Sequence, residues 1–360
     1  MAGGIAMTRM LHIVGSMSPS GIGKLIINVY RNIYMEKVQF DFIVHEHRDV
    51  SFDDEIRALG GRLFYVTRKA VSPARNFREI WKVVKKGDYN IVFRHTDIST
   101  VALDLLAARL GGAKVRIAHS HSTSTSNKKM HLLFQPLLNA LCTRRFACSE
   151  KAGIWLYGEK PFEVIINAIR LEDFAWNEKA RREIRKKEGL GESLVIGHVG
   201  NLLPVKNHLF MLDVMKALVK RSPDSKMLFV GDGAMRTQIL EKRKALGLDE
   251  NVILTGVRTD TAALLQGMDL FLFPSKYEGL PIALVEAQCS GLPCLLSDAI
   301  PRDVDVTPLI HRLPLTGSPA EWADKIIELT KEPRRAPDYH LFTEKGFDIK
   351  EMVKCYEELA

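Results

Sequence analysis

Short apolar runs, each stopped by glycine, proline or a polar cluster and each followed by a helical stretch, recur along almost the whole chain. In the first half they are Met10–Val14, Phe40–Val44, Arg62–Val66, Asn90–Phe93, Val115–Ala118 and Val164–Ile166. In the second half they are Leu194–Val199, Met227–Val230, Val252–Gly256 and Leu270–Phe273. A strand can be followed by a parallel neighbour only through a long crossover, for which a helix is the usual solution. The alternation therefore predicts α/β architecture, with parallel sheets covered by helices on both faces. At 360 residues the chain is long enough for two such units, each with its own core. Ligands of these sheets gather beyond the carboxyl ends of the strands, so the residues that follow each run carry the chemistry.

After the first run comes Gly15-Ser16-Met17-Ser18-Pro19-Ser20-Gly21-Ile22-Gly23. It is not a P-loop, because Gly23-Lys24 is followed by Leu25 and Ser18 stands where the first glycine belongs. The dinucleotide fingerprint is also incomplete, since Gly21-x-Gly23 continues to Ile26. What remains is a glycine loop leading into a helix. It is either a plain tight turn or a place where backbone N–H groups approach a phosphate or sugar. The run at Val115 ends in His119-Ser120-His121-Ser122-Thr123. A histidine there either hydrogen-bonds a ligand or ties down its loop. His-x-His also has the form of a metal pair, but no nearby carboxylate or cysteine completes a set.

The richest stretch is Pro274-Ser275-Lys276-Tyr277-Glu278-Gly279-Leu280-Pro281, continuing through Glu286-Ala287 to Gly291-Leu292-Pro293. Proline suits the first position of a helix and glycine its end, so a helix is predicted from Pro281 to Gly291. Glu278 then lies just ahead of the helix, near N–H groups with no intrahelical partner. Glu286 lies about 7.5 Å further along the axis, and helical side chains lean toward the N-terminus. Both carboxylates can thus face one mouth, a site for hydroxyls at two separated points and an anion at the helix end. Otherwise Glu278 caps the helix and Glu286 lies on its solvated face.

This stretch resembles the E-x7-E signature of the family-4 retaining glycosyltransferases, in its E-G-x-P opening and its E-A-x-x-x-G-x-P close. The resemblance extends over nearly the whole chain. It implies the GT-B fold, two Rossmann-like doubly wound parallel-sheet domains facing a cleft. The first domain is expected at 1–168 plus 344–360, an acceptor-side unit with a returning C-terminal helix. The second, at 169–343, is expected to bind the nucleotide sugar. By the same resemblance the glycine loop with Gly21 and Gly23 faces the cleft, and His119 contacts the donor sugar. Glu278, with the backbone of Gly279 and Leu280, holds that sugar; Glu286 holds the ribose; Gly256 and Arg258 lie along the base. Lys206 grips the diphosphate. Asn201 stands where the family has an arginine, and an amide brings neither the charge nor the bidentate contact. At the domain end Asn167-Ala168-Ile169-Arg170 replaces the family's N-G-I-D.

The implied reaction is retaining transfer from a nucleotide-diphosphate sugar, a UDP-sugar in first place. The acceptor is a saccharide or lipid-linked saccharide of polysaccharide biosynthesis. No metal or other cofactor is expected: Asp303-Val304-Asp305 has the form of a metal pair used by the other glycosyltransferase fold, but it follows Ile300-Pro301, late in the sheet. A glycosidase with two carboxylates would leave the lysine and the doubled Rossmann pattern unexplained. The rival of a different class is a catalytically weakened nucleotide-sugar-binding or scaffold subunit, for which Asn201 speaks.

Charge adds a partner. Residues 1–170 hold 25 Lys/Arg against 14 Asp/Glu, whereas residues 171–360 hold 26 against 29. A basic first half favours an acidic partner. The densest basic segment runs from Arg68 to Lys86, with Phe77 and Trp81 interleaved. It reads either as an interfacial helix on anionic lipid or as a solvated face. Nucleic acid is not expected, since no binding motif accompanies the charge. The five cysteines show no metal spacing and read as reduced thiols. Met1–Ala6 is too short for a signal core, and no apolar run approaches a membrane span. The expected place is the cytoplasm, at the inner face of the membrane where the basic segment engages it. Neutralising Arg75, Arg78, Lys82 and Lys85 together is expected to weaken binding to anionic vesicles, most at low salt. Vesicle sedimentation checks this, and unchanged binding leaves only a solvated face.

Overall fold

The structure is a computed structural model that describes residues 7–19, 21–123, 125 and 127–360. Met1–Ala6 and Ser20 of the glycine loop, read above, lie outside the described residues. The chain divides into two compact units, residues up to Ala168 together with Ile349–Ala360, and Ile169–Asp348.

The first unit is built on seven strands: β1 (Thr8–Val14), β2 (Val38–Val44), β3 (Leu63–Tyr65), β4 (Ile91–Thr96), β5 (Val115–Ser120), β6 (Arg144–Ala147) and β7 (Glu163–Val164). They lie in the order β3-β2-β1-β4-β5-β6-β7, and every pairing is parallel. All seven residues of β2 are buried, as expected of a strand covered on both faces. The second unit has six: β8 (Val195–Val199), β9 (Lys226–Val230), β10 (Val252–Gly256), β11 (Leu270–Phe273), β12 (Cys294–Ser297) and β13 (Ile310–Leu313). Their order is β10-β9-β8-β11-β12-β13, again parallel throughout.

Strand ends differ from the apolar runs in an informative way. β4 and β5 continue past the runs into Arg94-His95-Thr96 and His119-Ser120, because pairing with a neighbour satisfies the backbone whatever the side chains. β6, β12 and β13 join as well, the first through polar Arg144 and Arg145. Four of the five free cysteines are buried, and burial raises the thiol pKa of Cys142 and Cys148 to about 11.

The helix Ile349–Glu357 belongs to the first unit. Its Met352, Val353 and Tyr356 sit in the same apolar cluster as Phe40, Phe42 and Phe93. Tyr356 stacks on Phe93 with ring centroids 4.9 Å apart, and the Tyr34 amide donates to Glu357 Oε1 at 2.8 Å. Residues 344–348, expected with this unit, lie in the other one. There the Ile169 amide donates to the Phe347 carbonyl at 2.9 Å, and Ile169 bridges to Asp348.

Tyr356→Ala is expected to cost the first unit about 3–5 kcal/mol, the range for truncating a large buried aromatic. Tyr356→Phe is expected to cost little, since the buried hydroxyl has no hydrogen-bond partner among the described residues. Urea unfolding of the two variants checks the contrast.

Candidate functional site

In the second unit the strand order reverses between β8 and β11, so the loops leaving these strands open a crevice at their carboxyl ends. The loop after β8 carries Gly200, Asn201 and Lys206; the loop after β11 carries Glu278, Gly279 and Leu280. Two bonds lace them together. The Lys276 amide donates to the Val205 carbonyl at 2.9 Å, and Asn207 Nδ2 donates to the Pro274 carbonyl at 3.2 Å. Lys206 and Glu278 meet across the seam, Nζ to Oε1 at 2.8 Å, with 16% and 14% of their side chains exposed. The ammonium also lies 4.9 Å over the Phe273 ring, a second favourable contact for a cation.

The helix that follows spans Ile282–Cys289. Pro281 takes the N-cap place, with ψ at 94°, instead of the predicted first helical position. Gly291 follows with φ +73°, and a Cβ there would meet the Arg335 carbonyl oxygen at 2.1 Å, so only glycine fits. Glu286 is 5% exposed. It does not lie on a solvated face. Beside these loops, Gly231 ends β9 with φ +140°, and its Cβ would stand 2.1 Å from the Gly200 carbonyl oxygen. The lack of a side chain there lets β9 close onto the loop that presents Asn201, which is itself exposed. The Gly231 amide donates to the Gly256 carbonyl at 2.9 Å, which brings the end of β10 to the same edge. A Cβ on Gly279 would meet nothing within 4 Å, so backbone there is open to a ligand.

Arg258 is less available than its sequence position implies. Its guanidinium is engaged by Asp260 at 2.7 Å and Glu188 at 2.9 Å. These bonds raise its pKa, and Arg258 in turn lowers that of Asp260 to about 2. Asp305 of the D-x-D sequence is held by Arg312 at 2.5 Å.

The first unit reverses strand order between β1 and β4. At that point lies a cavity of about 680 Å³, walled by Gly15, Gly21, Lys69, Arg94, His95 and His121 among others. Gly21 is exposed at its edge, whereas Gly23 is buried, where a Cβ would collide with the Ser18 carbonyl oxygen at 2.0 Å. The cavity's basic groups are partly balanced. Arg94 and Lys69 both reach Asp104, at 2.7 and 2.8 Å. Burial disfavours the charge of Asp104, but these two cations hold its carboxyl below the usual range. Arg68 reaches Glu46 at 3.2 Å.

His119, the residue singled out from sequence, is wholly buried and is not part of the cavity wall. His121 and His95 are. The register pairs His95 of β4 with His119 of β5, and the rings of His121 and His119 meet tilted at 40° with centroids 4.1 Å apart. His95 and Arg94 were not singled out from sequence, and Lys69 was read there only as part of the basic segment. Polar residues directly after the Asn90–Phe93 run were the available signal.

Residues 193–332 match the family model described as glycosyl transferases group 1. The protein named glycosyltransferase EpsF of Bacillus subtilis is 36% identical over 96% of this chain and 94% of its own length. The UDP-Gal:alpha-D-GlcNAc-diphosphoundecaprenol alpha-1,3-galactosyltransferase of Escherichia coli is 29% identical over 78% of this chain and 76% of its own. Among solved structures, Anabaena HepE in complex with UDP and glucose superimposes with a TM-score of 0.76 at 17% identity, over 98% of this chain and 99% of that one. WaaG, a glycosyltransferase of lipopolysaccharide biosynthesis, gives 0.69 at 14% identity, over 98% and 95%. The fold they share with this chain is GT-B, two Rossmann-like parallel-sheet units.

Two buried histidines lie next to these loops, His198 in β8 and His208 after Asn207, edge to face with ring centroids 4.9 Å apart. Burial, aided by the charge of Lys206, lowers the pKa of His208 to about 4, and burial beside His208 and Lys206 holds that of His198 well below its usual value. An unfolded imidazole takes its proton near pH ~6.5. Between that value and the folded pKa the unfolded state binds the extra proton, so stability falls as pH falls, by about 1.4 kcal/mol per pH unit for each such residue. His208→Gln is expected to remove one such increment between pH ~6.5 and about 4. Urea midpoints across that window check it, and an unchanged slope would contradict it.

Proposed function

The chain belongs to the group 1 glycosyl transferases, and from that premise we propose that it moves a sugar, with retention, from a nucleotide-diphosphate sugar to a saccharide or lipid-linked acceptor in polysaccharide biosynthesis. The donor is a UDP-sugar in first place. The Escherichia coli relative is named for a UDP-sugar donor and a diphosphate-lipid acceptor, and HepE was solved with UDP and glucose.

The observation that carries the reading is the ion pair of Lys206 and Glu278 at the switch point. A departing nucleoside diphosphate develops negative charge, and fixed cations in a water-poor site stabilise it. Lys206 supplies that charge. Before the donor arrives Glu278 holds it in place; the diphosphate then competes for the ammonium and leaves the carboxylate to accept sugar hydroxyls. One binding event prepares both groups. Gly279 and Leu280 offer backbone beside it, Asn201 adds an amide to the phosphate side, and Gly256 lines the base. Glu286, buried one turn into the helix, takes the ribose hydroxyls. Arg258 shapes the base end of the site while paired with Asp260 and Glu188.

In the first unit His121 and His95 face the cavity, and His119 acts through its ring contact with His121. Transfer draws on no divalent ion at the diphosphate, because Asp305 is committed to Arg312. Membrane contact would be electrostatic. The helix Pro73–Gly87 buries Asn76, Ile80 and Val84. Phe77 and Trp81 pack against the same core, which leaves Arg75, Arg78, Lys82 and Lys85 outward. Among the described residues no helix is long and apolar enough to cross a membrane. A weakened subunit is favoured only by Asn201; slow donor hydrolysis in the absence of acceptor separates it from an enzyme.

Glu278→Gln and Glu286→Gln keep size and remove charge. Glu286 contacts a part of the donor that does not react, so its loss is expected to weaken nucleoside-diphosphate affinity first. Glu278 contacts the sugar as charge develops, so its loss is expected to lower turnover more than affinity. Affinity and transfer rate, measured together on folded variants, decide. Two variants with normal affinity and normal rate would overturn the assignment.

A further inference from the structure

Three imidazoles meet at the first unit's cavity, two in its wall and His119 buried just behind them, and the transfer chemistry proposed above uses none of them as a metal ligand. Parallel pairing sets His95 beside His119, and His121, two residues on, returns to the same side of the strand path. The His121 amide donates to the Thr96 carbonyl at 3.0 Å, so the ladder that aligns the two strands reaches this residue. One ring nitrogen from each of the three lies within 4.8 Å of the other two.

The polar accounting at this point does not close. A neutral imidazole offers one donor and one acceptor. Both ring nitrogens of His119 and Nδ1 of His121 are buried with no hydrogen-bond partner among the described residues. Orphaned buried polar atoms are costly, and several together point to a missing occupant. His95 Nδ1 and His121 Nε2 stand 3.0 Å apart. Two nitrogens bound to one tetrahedral zinc at 2.0–2.1 Å lie about 3.3 Å apart, so a shift of a few tenths of an ångström admits the ion.

We propose that His95, His119 and His121 bind one transition-metal ion of the zinc or cobalt class. The rest of the neighbourhood suits this occupant. His95 would ligate through Nδ1, and its Nε2 faces His12 Nδ1 at 3.1 Å, an outer partner of the kind that fixes the orientation of a metal-bound imidazole. His12 is itself held by stacking on Phe93 at 4.8 Å. The set contains no carboxylate, so hard ions such as magnesium or manganese are poor matches, whereas an all-imidazole set suits zinc, cobalt, nickel or copper. His95 and His121 line the cavity, which gives the ion an entry path. With three protein ligands the fourth position opens toward that space, for a water or an anionic oxygen of whatever occupies it. From sequence the His-x-His pair lacked a third ligand. The fold supplies it from β4.

The test uses the full chain without an affinity tag, stripped of metal and titrated with cobalt(II) chloride, then with zinc chloride. One equivalent of cobalt is expected to bind with the intense visible absorption of a tetrahedral site, and zinc is expected to displace it and raise the melting temperature. Manganese is expected to do neither. His121→Gln, at a half-exposed position, is expected to lower cobalt affinity by about tenfold or more. His119→Gln is expected to do the same, whereas His340→Gln, at an exposed histidine elsewhere, keeps it. If His119→Gln does not fold, His121→Gln alone decides. Absence of saturable one-equivalent binding, or His121→Gln binding cobalt as tightly as the parent, would overturn the proposal.

Discussion

Parallel pairing is the constraint on which both units depend. A strand that must lie parallel to its neighbour sends the chain back across a sheet face each time, so every strand ends at the same edge. The six strands of the second unit therefore deliver their loops to one place, whatever those loops contain. At the reversal of strand order between β8 and β11 neighbouring loops part, and a crevice opens between them. Lys206 and Glu278 are 72 residues apart in the chain, yet this arrangement brings their side chains to 2.8 Å.

What the crevice holds follows from local backbone chemistry. Gly231 lets β9 approach the Gly200 carbonyl, and Gly291 lets the chain leave the helix Ile282–Cys289 against Arg335. The left-handed Asn207, with φ +63°, turns the first loop so that its side chain ties to Pro274. A lysine and a glutamate held there with little exposure are pre-oriented. In the function proposed for them they give up their mutual contact to a ligand that offers each a better one, and a sugar diphosphate carries both kinds of group.

The first unit arrives at a different electrostatic solution from the same geometry. Its cavity is walled by cations, but Asp104 underpins Arg94 and Lys69, and Glu46 meets Arg68. The excess positive charge of the first 170 residues is thus carried less by the cavity than by exposed surface, including the outer face of the helix Pro73–Gly87. His95 and His121 form the neutral part of the wall, kept uncharged by burial.

The sequence by itself determined the class of fold and singled out Lys206 and Glu278, which the fold brings together. Alternating apolar runs and crossovers leave a chain few choices besides parallel sheets. Glu278, Glu286 and the proline and glycine around them sit close enough in sequence for the strand–loop–helix to be read directly. The structure also showed what local pattern does not encode. His119 looked like the ligand-facing histidine because it comes first after the run, but β5 continues through Ser120 by pairing with β4, which buries His119 and leaves His121 at the cavity. Arg258 looked free until Glu188, 70 residues away, met it. Strand β6 begins with two arginines and has no apolar signature; its neighbours β5 and β7 define it. Partners distant in the chain decide which polar groups are spent and which are available, and only tertiary packing brings those partners together.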